Sequence, residues 1–257
     1  MAVDRSKVRE RCSHVGRQLA SSTDAGTVQF SGTDRHLLRA HCLLNRVRRF
    51  ERENGFYVLG STLVGFCTGA VRNYLISKKL GVKKIRLGPR SYLRGLSCIR
   101  MGEDFSAGPG LWLEALTRYK NQTFSPSIVI GDRVQISHWV HIAATHLVEI
   151  GDDVLIGSKV MITDHNHGQY SRDLHTSPLI GPTARPLDRD RRVVIGKNVW
   201  LGDGVVVTPG SCIGEGSIIG ANSVVIGTIP PFAIAVGMPA IARKTFNFDT
   251  GQWCDVE

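Results

Sequence analysis

Residues 195–225 read IGKNVW, LGDGVV, VTPGSC, IGEGSI, IGANSV and V, so an aliphatic residue recurs at every sixth position. A glycine often follows the aliphatic residue, and the fifth position is often small or β-branched. A period of six suits neither an α-helix, with about 3.6 residues per turn, nor a lone amphipathic strand, which alternates about every 2 residues. It suits a short strand followed by a turn.

The same period extends toward the N-terminus. Aliphatic residues recur, with one two-residue slip, at Ile130, Ile136, Ile142, Ile150, Ile156 and Ile162, and fainter copies occur at Leu87, Leu93, Met101, Ala107 and Leu113. Each aliphatic side chain is expected to point inward and stack on its copy in the next coil, while the glycine permits a tight turn. Three such units close one triangular coil. This pattern predicts an all-β domain, a parallel β-helix over residues 85–245 with an inserted loop at 163–192.

The chain before this repeat is predicted to be basic and partly helical. Residues 1–34 are rich in Ser, Thr, Asp and Gly and are expected to be disordered. Residues 35–84 place apolar and basic residues at roughly helical spacing, which predicts amphipathic helices, with Gly81 as a stop signal. At the other end, residues 246–257 are expected to form a C-terminal tail.

Charge and cysteine usage limit the cellular setting. The net charge is +10, and residues 1–100 hold 20 Lys and Arg against 6 Asp and Glu. Such a segment attracts nucleic acid, an anionic membrane or an acidic substrate, and charge alone does not choose among them. The apolar stretch Phe56–Val71 is shorter than the ~20 residues that span a bilayer, so we expect a buried or interfacial segment and a peripheral contact with the inner membrane face.

Six cysteines without C-x-x-C spacing and an N-terminus without an apolar signal region predict a cytoplasmic protein.

Several motifs together resemble the hexapeptide-repeat acetyltransferases. They are the hexads, ITDHNHG at Ile162–Gly168, NVWLG at Asn198–Gly202, IGANSVV at Ile219–Val225 and VGMPA at Val236–Ala240. Within this superfamily the sequence most resembles the lipopolysaccharide and exopolysaccharide biosynthesis O-acetyltransferases. That resemblance implies a left-handed parallel β-helix and a homotrimer with active sites at the subunit interfaces. It also implies acetyl-CoA as the donor, a hydroxyl of a sugar or glycolipid as the acceptor, and no nucleic acid partner.

The resemblance also assigns the groups that carry the chemistry. Acyl transfer to a hydroxyl needs a general base, donors for the oxyanion and a site for the thioester. In the family the base lies where the long loop leaves the β-helix, which implies His167 as the catalytic base and makes His165 the second candidate. Asp164 either binds the acceptor, orients a histidine or caps the turn. Residues expected to bind or support the acceptor are Asp164, His165, Asn166, Ser137 and Trp200.

A second group of residues is implied to bind the cofactor. Backbone N–H groups of Gly202, Asp203 and Gly204 would lie near the thioester. Positions that contact pantetheine in relatives correspond to Ala221 and Ser223, and the phosphates of CoA would meet Arg243 and Lys244. Trp200 is expected to project outward, where it packs at a subunit interface, lines the acyl-transfer site, or does both.

Two other functions are compatible with a β-helix. Gamma-type carbonic anhydrases share this fold and hold zinc with three histidines, and the spacing of His141 and His146 reproduces their closer pair. No histidine lies about two coils upstream to complete that set, so we expect no metal. A non-catalytic scaffold would keep the hexads but would need neither the long loop nor His167.

Overall fold

The computed structural model describes residues 45, 47–49, 51–53, 55–171, 174–188 and 191–256. The segment predicted to be disordered, residues 1–34, lies outside the described residues. Residues 45, 47–49 and 51–53 are helical, and helix α1 spans Phe56–Leu80. The contacts divide the chain into residues 1–62 and residues 63–257, and the whole β-helix lies in the second unit. Among the described helices, none has the length and apolarity needed to cross a bilayer.

Helix α1 ends where the glycine signal predicts. Gly81 adopts a left-handed φ of 72°, and the amide of Val82 donates to the carbonyl of Ser77 at 3.0 Å. A residue without Cβ adopts this conformation at little steric cost, which is why glycine so often follows the last helical residue. Ile76 and Leu80 pack against the hydrophobic core, so the last turns of α1 lie on the β-helix.

Three long sheets form the sides of the β-helix. Sheet A contains β1 (Ile85–Leu87), β4 (Phe105–Ala107), β9 (Gln135–Ile136), β12 (Leu155–Ile156), β17 (Trp200–Leu201), β20 (Ile218–Ile219), β23 (Ala233–Val236), β24 (Ile241–Asn247) and β25 (Gln252–Asp255). Sheet B contains β2 (Tyr92–Arg94), β5 (Trp112–Ala115), β10 (His141–Ala144), β13 (Met161–Thr163), β18 (Val206–Val207) and β21 (Val224–Val225). Sheet C contains β3 (Ile99–Met101), β8 (Ser127–Ile130), β11 (Leu147–Ile150), β16 (Arg192–Ile195), β19 (Cys212–Ile213) and β22 (Thr228–Ile229).

The chain visits sheets A, B and C in turn, and the neighbouring strands within these three sheets pair in parallel as far as β23. Two insertions leave the β-helix at the same corner, between sheet B and sheet C. The first contains an antiparallel hairpin of β6 (Arg118–Tyr119) and β7 (Gln122–Thr123). The second follows β13 and contains β14 (Tyr170–Ser171), β15 (Leu174–His175) and a short 3-10 helix at Pro182–Ala184. The long loop predicted at 163–192 is this second insertion.

The predicted inward stacking is confirmed. Leu93 among the fainter copies is only partly buried. The aliphatic residue that opens each of the later hexads is buried, at Ile130, Ile136, Ile142, Ile150, Ile156, Ile162, Ile195, Leu201, Val207, Ile213, Ile219 and Val225. In-register pairs such as Ile136 with Ile156, and Ile156 with Leu201, place one aliphatic layer directly on the next. Each coil therefore buries its apolar residues only against its neighbours.

The hexad glycines have a different role from the one predicted. The left-handed residue of each turn comes two positions after the glycine, as at Asp153 and Asn198, with φ of 57° and 58°. At Gly151 the backbone conformation is ordinary, but an added Cβ would lie only 2.6 Å from the backbone nitrogen of Lys197 in the next coil. These glycines are needed because adjacent turns stack too closely for a side chain.

We expect Gly151→Ala to destabilise the β-helix by about 1–3 kcal/mol, because the added methyl group forces two stacked turns apart. Gly181→Ala is the matched control, since a Cβ there meets no atom within 4 Å and the φ of Gly181 is negative. Denaturant unfolding of both variants measures the difference. A Gly151→Ala protein as stable as the control would show that the coils can separate without cost.

The C-terminal segment predicted to be a tail is instead part of sheet A. Strand β24 folds back antiparallel to β23, and β25 pairs antiparallel to β24. The reason is an aromatic cluster at this end of the β-helix. Phe246 packs edge-to-face on Phe248 and on Trp253 with ring centroids 5.0 and 5.2 Å apart, and Phe248 packs on Phe232 at 4.9 Å. These rings give residues 246–256 apolar contacts that a tail would lack.

Candidate active site

The corner between sheets B and C is built around a buried carboxylate. Asp164 follows β13 directly and is 0% exposed. Its oxygens accept hydrogen bonds from the backbone amides of Thr145 and His146, at 2.8 and 2.7 Å, where the preceding coil turns the same corner. A buried carboxylate is stable only when such donors compensate its lost hydration. Asp164 therefore fixes the turn from which the long loop leaves and does not reach a ligand.

The same carboxylate orients a histidine. Nδ1 of His165 lies 2.8 Å from Oδ1 of Asp164, and the hydroxyl of Thr163 lies 3.3 Å from the same nitrogen. The side chain of His165 is 12% exposed. Because an ionised carboxylate can only accept, Nδ1 carries the proton and Nε2 of the neutral ring keeps its lone pair. This is the arrangement of an oriented general base.

His167 lies farther out in the same loop. It is exposed, and its Nδ1 lies 3.4 Å from the hydroxyl of Tyr119, whose ring meets the imidazole edge-to-face at 5.4 Å. The hydroxyl of Tyr170 donates to the carbonyl of His167 at 2.6 Å. Asn166 is also exposed, and its carbonyl accepts the amide of Asp188 at 2.9 Å. Among the described residues of the loop and its surroundings, no carboxylate contacts the ring of His167, although hydrogen bonds fix its backbone position.

The two insertions at this corner contact each other. We call residues 116–126 together with the described part of 164–191 the corner lobe. The side chain of Gln122 accepts from the amide of Leu187 at 2.7 Å and donates to its carbonyl at 3.2 Å. The hydroxyl of Tyr119 donates to the carbonyl of Thr183 at 3.2 Å. These contacts hold the loop against the hairpin two coils below, so His165 and His167 sit in an ordered setting.

A polar and aromatic cluster lies on sheet B below the lobe. The indole of Trp112 stacks on the imidazole of His141, with centroids 4.4 Å apart, and its Nε1–H donates to Glu114 at 2.7 Å. Arg94 donates to the other oxygen of Glu114 at 3.1 Å, which leaves that carboxylate almost fully buried although it lies on the outer side of the β-helix. We call Arg94, Trp112, Glu114 and His141 the sheet B cluster.

The electrostatics of the sheet B cluster favour a neutral imidazole. Burial lowers the pKa of His141 below its ordinary value. The charge of Glu114 raises that pKa, and the nearby His165 lowers it further. Strand β10, which carries His141, pairs with β13, which leads directly into Asp164 and His165, so the cluster and the Asp164–His165 pair are neighbours. Sequence reasoning missed Trp112 and Glu114; the available signal was an acidic residue within the apolar strand segment WLEA.

Trp200 lies on a different side of the β-helix. It projects outward from sheet A and is exposed, as predicted. The strand register places Ile218, Ile234 and Lys244 above it in one column on the outer face. Three strand spacings of about 4.8 Å separate Trp200 from Lys244, roughly 14 Å in all. Lys244 forms an exposed ion pair with Asp255 at 3.0 Å.

The turn after Trp200 differs from the expectation. The amides of Gly202 and Gly204 donate to the carbonyls of Ile219 and Ser158, both at 2.8 Å. The side chain of Asp203 accepts the amide of Ser158 at 2.5 Å. These groups already join neighbouring coils, so the N–H groups of the two glycines are not free to bind a thioester.

The other predicted cofactor and acceptor residues are spread over the surface. Ser223 is buried, and its hydroxyl accepts the amide of Gly237 at 3.1 Å, so it cannot contact pantetheine through its side chain. Ala221 and Arg243 are exposed. Ser137 lies in the turn between β9 and β10, on the corner between sheets A and B. The structure thus brings Asp164, His165, Asn166 and His167 together, but it places Ser137 and Trp200 elsewhere on the same chain.

The histidines considered for zinc do not form a ligand set in the described part of the chain. His141 belongs to the sheet B cluster, and His146 lies across the corner at the turn into sheet C. Within residues 55–171, 174–188 and 191–256, no group of three or more His, Cys, Asp or Glu side chains is arranged to hold a metal ion.

The chain is similar to known hexapeptide-repeat transferases. Residues 192–227 match the family model described as bacterial transferase hexapeptide (six repeats). The chain is 45% identical over 163 residues to WbbJ of Escherichia coli (strain K12), named as a lipopolysaccharide biosynthesis O-acetyl transferase; the match covers 63% of this chain and 79% of WbbJ. It is 27% identical over 194 residues to galactoside O-acetyltransferase of the same organism, covering 73% and 86%. A solved hexapeptide-repeat acetyltransferase, VCA0836 of Vibrio cholerae O1 biovar eltor complexed with acetyl coenzyme A, is similar with a TM-score of 0.43 and 22% identity over 85% of this chain and 93% of that one.

Proposed function

The chain belongs to the hexapeptide-repeat acetyltransferases, which are left-handed parallel β-helices, and from this membership we propose that it transfers an acetyl group from acetyl-CoA to a sugar hydroxyl in lipopolysaccharide or cell-surface polysaccharide biosynthesis. The observation that carries the proposal is the Asp164–His165 pair at the start of the long loop. A carboxylate-oriented imidazole at a break in a regular repeat has no use in packing coils, but it suits the removal of a hydroxyl proton.

The contacts favour His165 over His167 as the general base. The sequence prediction assigned this role to His167, whose Nδ1 lies 3.4 Å from the hydroxyl of Tyr119. His165 instead has a buried carboxylate on Nδ1, which fixes the tautomer and stabilises the imidazolium that forms during the reaction. We therefore propose His165 as the base and Asp164 as its positioning residue, with His167 as the competing assignment.

The reaction then needs no covalent enzyme intermediate. Nε2 of His165 takes the proton of the acceptor hydroxyl while the hydroxyl oxygen forms a bond to the thioester carbonyl of acetyl-CoA. When the tetrahedral intermediate collapses, the carbon–sulfur bond breaks and the sulfur leaves as CoA with the proton from the imidazolium. Asp164 stays ionised throughout and offsets the positive charge on the ring.

The outward-facing column of sheet A suits the binding of acetyl-CoA. We call Trp200, Ile218, Ile234 and Lys244 the donor column. We place the pantetheine arm along Trp200, Ile218 and Ile234, because these side chains form an apolar track that ends at a cation. Lys244, with Arg243 beside it, would meet the phosphates of CoA. Ala221 and the turn at Gly202–Gly204 would lie along the side of this track. They would contact the pantetheine arm by packing, because the amides of the two glycines are already hydrogen-bonded.

The acceptor is best accommodated by the sheet B cluster and the corner lobe. Trp112 is about half exposed, and its indole is held in place by Glu114; an exposed aromatic ring of this kind packs well against the apolar side of a sugar ring. Asn166 and His167 are exposed at the lobe and supply hydrogen-bonding groups. Ser137 would reach this acceptor only from a second subunit.

A homotrimer explains why the candidate groups are separated on one chain. His165 lies at the corner between sheets B and C, while Trp200 lies on sheet A. In a three-fold ring each interface joins two different surfaces, so a corner of one subunit meets a face of the next. We propose that the donor column of one subunit faces the base of its neighbour. Acetyl-CoA as the donor makes the cytoplasm the site of the reaction.

An assay of CoA release tests the proposed function. Purified protein is supplied with acetyl-CoA and a panel of free, nucleotide-linked and lipid-linked sugars, and released thiol is measured. Thermal unfolding with and without CoA is measured in parallel, because a ligand that binds only the folded state raises its stability. We expect a raised melting temperature with CoA and acceptor-dependent thiol release. No thermal shift at saturating CoA would contradict an acetyltransferase and favour a scaffold.

A further inference from the structure

Helix α1 has an apolar face that the β-helix does not cover. Its inner face contributes Ile76 and Leu80 to the core contacts. On the other side, Val64, Val71 and Leu75 are 65%, 61% and 61% exposed, and Tyr74 beside them is also exposed. The spacing of seven and then four residues puts Val64, Val71 and Leu75 on one face of the helix. Exposed apolar residues are common singly, but a row of them marks an interaction surface. We call these four residues the outer face of α1.

The charge around the outer face has one sign. From residue 55 to residue 102 the sequence contains no Asp or Glu and has nine basic residues, at Arg72, Lys78, Lys79, Lys83, Lys84, Arg86, Arg90, Arg94 and Arg100. Lys78 and Lys79 are exposed in the last turn of α1. Two of the nine pair with acidic residues of later coils, Lys84 with Asp104 and Arg94 with Glu114. The end of the β-helix that carries α1 is therefore strongly cationic.

We propose that the outer face of α1 docks on an anionic lipid bilayer, a binding property that goes beyond the transferase reaction. Val71 and Leu75 would enter the interface between headgroups and acyl chains, and Lys78 and Lys79 would remain among the lipid phosphates. Each basic residue near such a surface adds to the attraction. The helix lies on the membrane and does not cross it.

The charge pattern decides between a bilayer and a second copy of the chain. A two-fold contact through the outer face would place Lys78 and Lys79 against a partner segment, residues 55–102, that contains no Asp or Glu. That arrangement places like charges together without an acidic residue nearby in sequence to offset them. An anionic bilayer would bury the apolar side chains of the outer face and at the same time pair Lys78 and Lys79 with lipid phosphates.

Sedimentation with vesicles tests the proposal on the full-length protein. The probes are vesicles of phosphatidylcholine with about 30% phosphatidylglycerol, a fraction chosen to imitate an anionic leaflet, and vesicles of phosphatidylcholine alone. We expect binding to the anionic vesicles that falls with added salt, and little binding to the neutral ones. The double variants Val71→Glu/Leu75→Glu and Lys78→Glu/Lys79→Glu should each weaken binding about tenfold or more.

The matched control is Leu179→Glu/Val256→Glu, which makes the same change in apolar surface and charge at exposed positions away from α1. It should lose much less binding than Val71→Glu/Leu75→Glu. Circular dichroism and thermal unfolding confirm that each variant is folded. The proposal is overturned if wild-type protein does not bind anionic vesicles, or if the two α1 variants bind as well as wild type. A smaller assembly by light scattering for Val71→Glu/Leu75→Glu, without vesicle binding by wild type, would assign the face to a second copy. Because the readout is binding, loss of CoA-dependent activity and loss of docking remain distinguishable.

Discussion

Replacing His165 with alanine is expected to lower the rate of acetyl transfer by roughly 10²–10⁴-fold, the contribution typical of a general base. The acceptor hydroxyl would keep its proton during attack, and within the described part of the corner lobe no other imidazole contacts a buried carboxylate. Binding of CoA and the mass of the assembly should stay unchanged, because the donor column lies on sheet A. Steady-state CoA release, a thermal shift with CoA and light scattering measure these three properties.

His167→Ala is the matched control, because it removes the same ring two residues away in the same loop. We expect it to retain activity within about tenfold of wild type, as suits a group that supports acceptor binding rather than proton transfer. The reverse result, an inactive His167→Ala protein and an active His165→Ala protein, would restore the sequence-based assignment. The Asp164–His165 hydrogen bond would then serve only to hold the corner.

The β-helix could be predicted from the sequence because each coil repeats the same packing requirement. An aliphatic residue such as Ile156 must stack on Ile136 below and on Leu201 above, so the same chemical requirement returns every coil and is visible in the sequence. The hairpin at β6 and β7 was not predicted, since its stabilising contacts come from Thr183 and Leu187, more than sixty residues later. The aromatic packing that turns the C-terminal segment into β25 is likewise set by tertiary contacts, with Phe232 contributing from another strand.

The candidate site could be predicted only in part, because its geometry depends on contacts between different coils. Sequence could mark the DHNHG segment as chemically unusual, but it could not separate His165 from His167. The distinction rests on Asp164 being buried by the amides of Thr145 and His146, which belong to the preceding coil. The sequence could not show that the amide of Gly202 and the hydroxyl of Ser223 already join adjacent coils, because a repeat hides which polar groups are paired in this way. Trp112 and Glu114 become candidates only when the register places them beside His141.

A second large effect is expected from mixing two inactive proteins. His165→Ala removes the base, and Trp200→Ala removes the aromatic start of the donor column, so each homogeneous assembly should have little activity. If the base and the donor column come from different subunits, a mixed trimer contains interfaces that pair an intact His165 with the intact Trp200 of the partner subunit. Random mixing at equal amounts gives both intact residues at about a quarter of the interfaces.

After co-expression of the two variants with different affinity tags, we expect the mixed trimers to have up to about a third of wild-type activity, since one of their three heterologous interfaces pairs both intact residues. Trimers that carry both tags are isolated and verified by native mass spectrometry before the assay of CoA release. A double variant, His165→Ala/Trp200→Ala, co-expressed with wild type measures the activity that comes from wild-type sites alone. Verified mixed trimers without recovery would place both residues in one subunit's site or make Trp200 purely structural. Recovery, in contrast, requires the base of one chain to act on a thioester held by its neighbour, which the separation of sheet A from the corner lobe on a single chain favours.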